Sequence, residues 1–365
     1  MTQLLSILLL SLLSLLDASQ TTVSLTFVGD AMQHAPQIKA AAQCGKARHA
    51  AYDYSQCFAH VMPDIEQADY AVANLECPLA GAPYTGYPAF SAPDAYAAAL
   101  KAVGFDLLLT ANNHCLDRRD RGLRRTVDAL DRLGISHIGT YASAAQRLSR
   151  LPFIANVGGM RIAFLDYTYG TNGIPVQGSV VVDFIDRALI SADIQAARAA
   201  GAEAVCVNLH WGIEYQLSPV ASQRSLADFL VDQGVDLIIG GHPHVVEPME
   251  MRFSPRFGKN VLLVYSLGNF ISNQTGIDSR GGAMVKVCLS RIDGRVVVHD
   301  ARCKLFFVQK PQRAGQNYVL IPEDKPQLLR PADRAEFSSF MSRTRSLVLS
   351  HNVMVPDECA SDGGK

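Results

Sequence analysis

Short apolar runs alternate with stretches of helical periodicity over most of this 365-residue chain. Apolar runs at residues 25–28 and 204–208 predict strands, and the spacing of leucines and valines at residues 120–133 predicts a helix. Such alternation is typical of βαβ units, in which helices cover a parallel or mixed sheet. Residues 283–290 and 295–307 are predicted to form an antiparallel hairpin around an Asp-Gly turn. The sequence therefore predicts an α/β fold.

Two stretches of the chain, residues 104–114 and 234–244, repeat one local pattern. In each, a predicted helix ends at a glycine, an apolar strand follows, and a cluster of polar residues follows the strand. Two copies are too few for a solenoid. They instead predict a layered α/β sandwich that uses the same unit twice.

Polar residues suited to metal binding come directly after five of the predicted strands. Ligands of open α/β sheets bind outside the carboxyl ends of the strands, where side chains from distant parts of the chain meet. The residues at these positions are Asp30, Glu76, Asn113, His114, His210, His242 and His244.

Imidazole, carboxylate and amide ligands together favour Zn, Mn or Fe over Ca or Mg alone. Asp30 and Glu76 supply negative charge, and one of them can bridge two ions. We therefore expect one or two divalent ions as cofactor. Paired metals would lower the pKa of a bound water towards ~7 and hold an attacking oxygen in place.

The spacing of these residues predicts which of them bind metal and which contacts the substrate. His242 and His244 are two apart, so in an extended segment both would face the metal. Asn113 and His114 are adjacent and would face opposite ways. This lets Asn113 bind metal while His114 approaches the substrate as a general acid.

Each motif also has an ordinary structural explanation. A single histidine after a strand is usually a packing or hydrogen-bonding residue. Asn-Asn and Gly-His-Pro are common in turns, and Asp30 could cap a helix. Five such motifs that all follow strands are harder to explain as turns, so the sequence favours the metal site.

Three further residues are candidates for contacts around the site. Asp117 could hydrogen-bond His114 or cap the next helix, and the cap is favoured. Glu214 could orient a ligand histidine or remain a solvated loop carboxylate, and neither alternative is favoured. Asn269 either reaches a substrate oxygen or closes a turn. By position alone, Tyr169 could belong to a substrate loop and Tyr215 could wall the cleft.

The overall charge argues against nucleic acid as a partner. The formal net charge is −1, and no basic stripe stands out. The motifs of serine α/β-hydrolases, of P-loop NTPases and of dinucleotide-binding folds are all absent.

The two ends of the chain differ from its middle. Residues 4–16 form an apolar run that is too short to span a membrane but fits the core of a signal peptide, although no Lys or Arg precedes it. A buried N-terminal helix is the alternative. We expect residues 1–20 to direct export to the periplasm or cell envelope, residues 21–310 to form the main domain, and residues 311–365 to form an extension. That extension is expected to hold a surface helix at residues 334–350 and a disordered end.

The chain has eight cysteines and no Cys-x-x-Cys spacing, so a structural zinc knuckle is not expected. Export would permit disulfides. Cys44 and Cys57 are the favoured pair because they flank a polar, loop-like stretch.

Six ordered motifs of the chain resemble those of the CapA family, which is named for capsule (poly-γ-glutamate) biosynthesis in bacteria and is similar to the calcineurin-like metallophosphatases. The motifs are Val-Gly-Asp at residues 28–30, Asn-Leu-Glu at 74–76, Ala-Asn-Asn-His-Cys-Leu-Asp at 111–117, His-Trp-Gly-Ile-Glu-Tyr at 210–215, Gly-His-Pro-His-Val at 241–245 and Tyr-Ser-Leu-Gly-Asn-Phe at 265–270.

The resemblance implies a four-layer α/β/β/α sandwich of the metallophosphatase kind. It implies that Glu76 stands in for the bridging carboxylate of the phosphatases, and that Asp30, Asn113, His210, His242 and His244 complete the ligand set. The phosphatases carry a histidine two residues after the first aspartate, where this chain has Met32, so one ion loses a nitrogen ligand.

The implied function is that of an exported metal-dependent hydrolase in capsule or envelope polymer biosynthesis. The alternative is a non-catalytic assembly or transport factor for an anionic polymer. The implied partners are an anionic polymer or a phosphoester substrate, together with capsule-synthesis proteins of the membrane.

Overall fold

The structure is a computed structural model that describes residues 21–349. The expected signal peptide at residues 1–20 and the expected disordered end of the chain lie outside the described residues. Among residues 21–349, none of the helices combines the length and the apolar character that a membrane span requires.

Most strands belong to two large sheets. The first sheet contains β1 (Thr22–Ala31), β2 (Tyr70–Leu75), β3 (Leu107–Leu109), β4 (Ser136–Ile138), β13 (Asn269–Ile271), β14 (Gly281–Ile292), β15 (Arg295–Gln309) and β16 (Val319–Pro322). The second contains β6 (Phe153–Val157), β7 (Met160–Thr168), β9 (Ala204–His210), β10 (Leu237–Gly241), β11 (Met249–Ser254) and β12 (Lys259–Val264). A separate small pair joins β5 (Thr140–Tyr141) to β8 (Val181–Val182).

The sheets are mixed, with parallel strands at their centres. Strands β1, β2, β3 and β4 run parallel, and the β14–β15 hairpin extends this sheet in antiparallel fashion, as predicted. Strands β7, β9, β10 and β12 of the second sheet are also parallel, and antiparallel β6 and β11 form its edges.

The helices connect and cover these strands. They are α1 (Ala35–Ala47), α2 (Ser55–Phe58), α3 (Met62–Glu66), α4 (Asp94–Val103), α5 (Arg119–Leu133), α6 (Ala144–Arg150), α7 (Arg187–Ala199), α8 (Ala221–Asp232) and α9 (Arg334–Leu349). Three short 3-10 turns lie at Ile277–Ser279, Pro326–Leu328 and Pro331–Asp333.

Alternating side chains of each strand pack into different layers. In β1, Phe27 faces the core between the two sheets, whereas Val28 faces the core that the first sheet forms with its helices. In β7, Phe164 faces the other sheet and Ala163 faces the core formed with α7 and α8. Because both faces of both sheets are buried, the molecule has four layers, α/β/β/α. This confirms the fold predicted from the sequence.

The repeated unit seen in the sequence occurs once in each sheet. Helix α4 ends at Gly104 and leads into β3 of the first sheet, and α8 leads through Gly234 into β10 of the second. Both glycines have positive φ, 109° and 73°, a conformation that glycine adopts without the steric cost of a side chain. Each unit delivers the polar cluster that follows its strand to the same end of the sandwich.

Residues 311–349 are packed against the first sheet. Strand β16 pairs with β15, so the chain beyond residue 310 contributes an edge strand. Helix α9 covers residues 334–349 of the predicted surface helix and buries Phe337 and Phe340 against Phe307.

The predicted Cys44–Cys57 disulfide is wrong. The stretch before Cys57 is not a plain loop, because Cys44 lies within helix α1 and Cys57 within α2. Both thiols are buried and free, and the Cys44 Sγ donates to the backbone oxygen of Gly315 at 3.5 Å. Helical packing, rather than a loop closure, therefore sets the positions of these two side chains.

Candidate metal centre

The carboxyl ends of β1, β2, β9 and β10 meet at one end of the sandwich. Asp30 is paired in register with Asn74 of β2, and His210 is paired with Gly241 of β10. Gly241 packs so closely against Asp30 that a Cβ atom at this position would lie 2.8 Å from the Asp30 Oδ1. The two sheets therefore bring residues that are far apart in sequence into direct contact.

The predicted ligands fall into two groups that share Glu76. One group is Asp30, Glu76 and His244, and the other is Glu76, His210 and His242; within each group the potential ligand atoms lie within 4.8 Å of one another. Glu76 Oε1 is 3.5 Å from His210 Nε2 and 3.8 Å from His244 Nε2. Glu76 is thus shared by the two groups, and this is the residue for which the resemblance implied a bridging role.

The amide oxygen of Asn113 completes the second group. Asn113 Oδ1 lies 3.0 Å from His210 Nε2, so it faces the same point as Glu76 and His242. All six predicted ligand side chains come together in the structure, and all are buried.

The unsatisfied atoms of this cluster fit a cation. Both carboxylate oxygens of Glu76 and the Nδ1 of His242 are buried without a hydrogen-bond partner in the described structure. Buried polar atoms without partners are costly and call for a specific explanation. Carboxylate oxygens, imidazole nitrogens and one amide oxygen form the donor set expected for Mn, Zn or Fe, so the residues present fit a divalent metal.

Burial and mutual charges shift the pKa values of Glu76, Asp30 and His244 in the metal-free cluster. Burial and the charge of Asp30 raise the pKa of Glu76 to about 8. Burial also disfavours ionisation of Asp30, but hydrogen bonds from His244 and Asn74 and the charges of the histidines lower its pKa to about 2. Burial opposes the charge on His244, yet Glu76 and Asp30 raise its pKa to about 9. Asp30 Oδ2 lies 3.1 Å from His244 Nδ1, so these two side chains form a buried ion pair in the metal-free cluster.

The other two histidines are held neutral. Burial lowers the pKa of His210 to about 3 and that of His242 to about 2, although the charge of Asp30 opposes both shifts. Metal binding requires an unprotonated nitrogen, so these two side chains are ready to act as ligands near neutral pH.

The expectation that His242 and His244 lie in an extended segment is wrong. Their φ angles are 96° and 60°, which are unusual values for residues other than glycine. The Asp30 Oδ2 accepts a hydrogen bond from the backbone N–H of His242 at 3.2 Å and bends the chain there. As a result His242 belongs to the group with His210, and His244 belongs to the group with Asp30.

Asn113 and His114 diverge, as their adjacency predicts. His114 packs edge-on against Phe90, with ring centroids 4.7 Å apart. Its Nδ1 lies 2.8 Å from Asp117 Oδ2, which also accepts the backbone N–H of Phe90. The preference for Asp117 as a helix cap is therefore wrong, because α5 has no side-chain cap and Asp117 contacts His114 instead.

The remaining predicted residues lie around the cluster in different ways. The side chain of Glu214 is exposed and has no hydrogen bond or ion pair among the described residues. The Asn269 amide donates to the backbone oxygen of His244 at 3.2 Å, and its Oδ1 is buried without a partner. Met32 is 1% exposed and packs in the core beneath the helices of the first sheet, so no ligand replaces the missing histidine from this position.

Sequence reasoning missed two residues that hold the ligands in place. The side-chain nitrogen of Asn74 is 2.8 Å from Asp30 Oδ1 and 3.3 Å from His210 Nδ1, so one amide contacts a ligand of each group. Asp166 Oδ2 accepts the backbone N–H groups of Thr110 and Ala111, just before Asn113. Asn74 is the first residue of the Asn-Leu-Glu motif, but a lone polar residue in a strand gives no clear signal of its role.

The chain resembles several known proteins. It is 30% identical over 250 residues to "Capsule biosynthesis protein CapA" of Bacillus anthracis, an alignment that covers 64% of this chain and 58% of that protein. It is 28% identical to "PGA biosynthesis protein CapA" of Bacillus subtilis (strain 168), with 75% of this chain and 69% of that protein covered. The chain thus spans little more than half the length of the Bacillus anthracis relative.

Two solved structures are similar in outline. One is the calcineurin-like phosphoesterase YfkN from Bacillus subtilis, with 14% identity, a TM-score of 0.47, and coverage of 90% of this chain and 97% of that chain. The other is a phosphatase from Mycoplasma pneumoniae, with 13% identity, a TM-score of 0.42, and coverage of 79% and 94%.

A family model described as "Bacterial capsule synthesis protein PGA_cap" matches residues 24–274, the part of the chain that holds every predicted ligand. This match covers more than half of the chain and includes all six motifs in their order. The chain belongs to the bacterial capsule synthesis protein family PGA_cap.

Proposed function

We propose that the chain is an exported metal-dependent hydrolase that cleaves an ester or amide linkage during biosynthesis of an anionic capsule or envelope polymer. The observation that carries this proposal is the buried carboxylate of Glu76, whose two oxygens have no hydrogen-bond partner among the described residues. Glu76 belongs to both histidine-containing groups, beside a histidine–aspartate pair that is not part of either group. Such an arrangement combines a site for cations with a separate proton donor.

His114 is the residue we assign as general acid. Its Nδ1 is engaged by Asp117, which leaves Nε2 as the ring atom that can exchange a proton with a substrate. Burial alone would lower the pKa of His114, but the hydrogen bond to Asp117 and the charge of Glu76 raise it. A proton on the imidazole near neutral pH is what a donor to a leaving group needs.

The other side chains would bind and orient. Asp30, Glu76, Asn113, His210, His242 and His244 would hold one or two divalent ions. A bound divalent ion would supply Lewis-acid polarisation of the scissile group. Asn74 and Asp166 hold the loops that carry these ligands, so they would keep the ligand geometry fixed between turnovers.

The proposal is tested by replacing His114 while monitoring metal content. In the His114→Ala variant, hydrolysis of an aryl phosphate or of γ-linked glutamate oligomers should fall about 10²- to 10⁴-fold, the usual contribution of general acid catalysis. Bound metal should be unchanged, because His114 is in neither ligand group. A His60→Ala variant is the control. Unchanged turnover in the His114→Ala protein would contradict the assigned role.

A second candidate function is favoured by the packing of Met32. Its side chain is buried in the core, so it adds no nitrogen ligand to the group of Asp30, Glu76 and His244. A protein of this kind could use its cation to bind polymer carboxylates without cleaving them, as an assembly or transport factor. This function would be favoured if the protein bound metal and polymer but hydrolysed neither phosphoesters nor glutamate oligomers with Mn, Zn or Fe.

Export and membrane partners belong to the same proposal. Residues 1–20 would act as the signal peptide that precedes a domain at residues 21–310, with residues 311–365 as an extension. Fractionation of cells that express the full chain and a chain lacking residues 1–20 tests this. We expect the full chain in the periplasm or envelope and the shortened chain to be retained in the cytoplasm.

A further inference from the structure

Three exposed tyrosines surround the mouth of the candidate metal centre. They are Tyr87, Tyr169 and Tyr215, which we call the tyrosine collar. Their exposed fractions are 73%, 47% and 55%, whereas all the predicted ligand side chains beneath them are buried. The three rings therefore offer exposed aromatic surface beside a cluster whose own side chains are buried.

Each tyrosine comes from a different loop and lies beside a different histidine of the site. The ring centroid of Tyr87 is 6.5 Å from that of His114, and Tyr169 is 4.5 Å from His242. The Tyr215 ring is 6.0 Å from His244. The collar thus lies beside the proton donor and beside one histidine of each ligand group.

The collar is held rigidly although its rings are exposed. The loop of Tyr87 is anchored by Arg118, which donates to the backbone oxygens of Ala89 and Phe90 at 3.1 and 3.3 Å. The backbone N–H of Tyr169 donates to the His210 oxygen at 2.9 Å. Anchored aromatic rings lose little conformational entropy on binding, which is why tyrosine is common in binding surfaces.

Tyr215 gives the clearest sign that exposure serves a ligand. Its φ angle is 66°, a strained conformation for a bulky residue, and its backbone N–H donates to the Pro243 oxygen at 2.8 Å. Strain of this kind concentrates at functional sites, where the surrounding structure maintains it. Gln274 also donates to the Tyr215 hydroxyl at 3.3 Å, which directs the ring. An exposed ring held in this way contributes little apolar burial to the fold.

We propose that the tyrosine collar binds an extended, amide-linked polyanion. The rings would contact the units on either side of the group that is cleaved or bound to metal. This contact would distinguish such a chain from small anions. The cation site would take one anionic group of the ligand. Tyrosine faces would pack on planar amides and methylene groups, and the phenol O–H groups would donate to neighbouring carboxylates. This inference rests on the proposed function only in that an anionic group occupies the metal centre.

The test measures binding rather than turnover, using the full chain loaded with Zn or Mn. The probes are a γ-linked glutamate decamer and inorganic phosphate, each titrated by calorimetry. In Tyr215→Asn and Tyr169→Ala the Kd of the decamer should rise about 2- to 10-fold for each variant, as expected for loss of one aromatic contact. The Kd of phosphate should stay the same. Asparagine tolerates positive φ, so Tyr215→Asn should fold as stably as the wild type or more so.

The controls separate the collar from general effects. Phe253 is 59% exposed on the edge strand β11 of the second sheet, and Phe253→Ala should leave both Kd values unchanged. Equal weakening of phosphate and decamer, or no weakening of the decamer, would overturn the proposal. The proposal would also be overturned if an oligouronate of the same length bound every variant as tightly as the decamer does. Absence of hydrolysis with intact, collar-dependent binding would instead count against the hydrolase function alone.

Discussion

Replacing Glu76 by glutamine tests whether a metal centre explains the buried carboxylate. In the metal-free protein, burial and the charge of Asp30 raise the pKa of Glu76 from 4.5 to about 8. A carboxyl with a raised pKa has its full stability below pH 4.5 and loses it as the pH rises towards 8, because the unfolded chain ionises first. Glu76 should therefore destabilise the metal-free protein at neutral pH.

The size of this effect follows from the two pKa values. Between 4.5 and about 8, linkage gives a cost of about 3 kcal/mol at pH 7 and about 1 kcal/mol at pH 5. Glutamine removes this cost but buries an amide with incomplete hydrogen bonding, at roughly 1 kcal/mol. The metal-free Glu76→Gln variant should thus be more stable than the wild type by about 2 kcal/mol at pH 7 and nearly equal to it at pH 5.

Bound metal should reverse this order of stability, so that the wild type becomes more stable than Glu76→Gln at pH 7. An ion present at 100 times its Kd stabilises the folded wild type by about 2.7 kcal/mol, and the variant should gain much less because it lacks the shared ligand. Urea unfolding of chelator-treated protein, with and without Zn or Mn, measures both effects.

A second buried glutamate provides the control for this experiment. Glu247 is buried, its pKa is raised to about 7 by burial, and it accepts a hydrogen bond from Gln223 outside both ligand groups. Glu247→Gln should keep the full metal response. A Glu76→Gln variant that is less stable than the wild type without metal, or that keeps the whole metal response, would refute the reasoning.

Three further substitutions test other parts of the structure. Asp117→Asn removes the negative charge beside His114 Nδ1 and should lower turnover about 10²-fold at unchanged metal content, measured by steady-state kinetics and elemental analysis. Arg147→Met leaves Asp183 buried without its 2.5 Å partner and should cost about 3–5 kcal/mol in urea unfolding. Burial already raises the pKa of Asp183 to about 6 against the effect of Arg147, so this cost should be larger at pH 8 than at pH 5. Phe340→Ala should cost about 3–5 kcal/mol if helix α9 is an integral part of the fold, because its ring is fully buried.

The layers, and the convergence of the candidate ligands, could be predicted from the sequence because both depend on strands. Apolar runs long enough to be buried on both faces indicate central strands, and the residues that follow parallel strands meet at one edge. Asp30, Glu76 and His210 satisfy this rule, so their convergence could be inferred without coordinates. The repeated glycine-ended helices also marked which loops belong to the same end of the sandwich.

Other features depend on contacts that no local pattern shows. The different groups of His242 and His244 follow from a backbone hydrogen bond to Asp30, which lies more than 200 residues away in sequence. The role of Asn74 depends on His210 in the other sheet. The strained φ angle of Tyr215 likewise depends on a contact with Pro243.

The errors at the cysteines and at Asp117 have a common cause. Composition made the stretch after Cys44 look like a loop, yet tertiary packing extends helix α1 to Ala47 and tolerates its polar residues at the surface. Asp117 stands where a helix cap is expected, but its carboxylate instead hydrogen-bonds the nearby His114 and the backbone N–H of Phe90. In both cases, contacts that the local sequence pattern does not show set the structure.

The central claim is that six residues from distant strand ends bind a divalent cation together. Elemental analysis of protein purified without chelators, wild type beside His242→Ala, tests it most directly. We expect the wild type to retain one or two equivalents of Mn, Zn or Fe per chain and the variant to lose at least one of them. A wild-type protein without bound metal that also takes up none on reconstitution, or a variant that holds as much as the wild type, would contradict the claim.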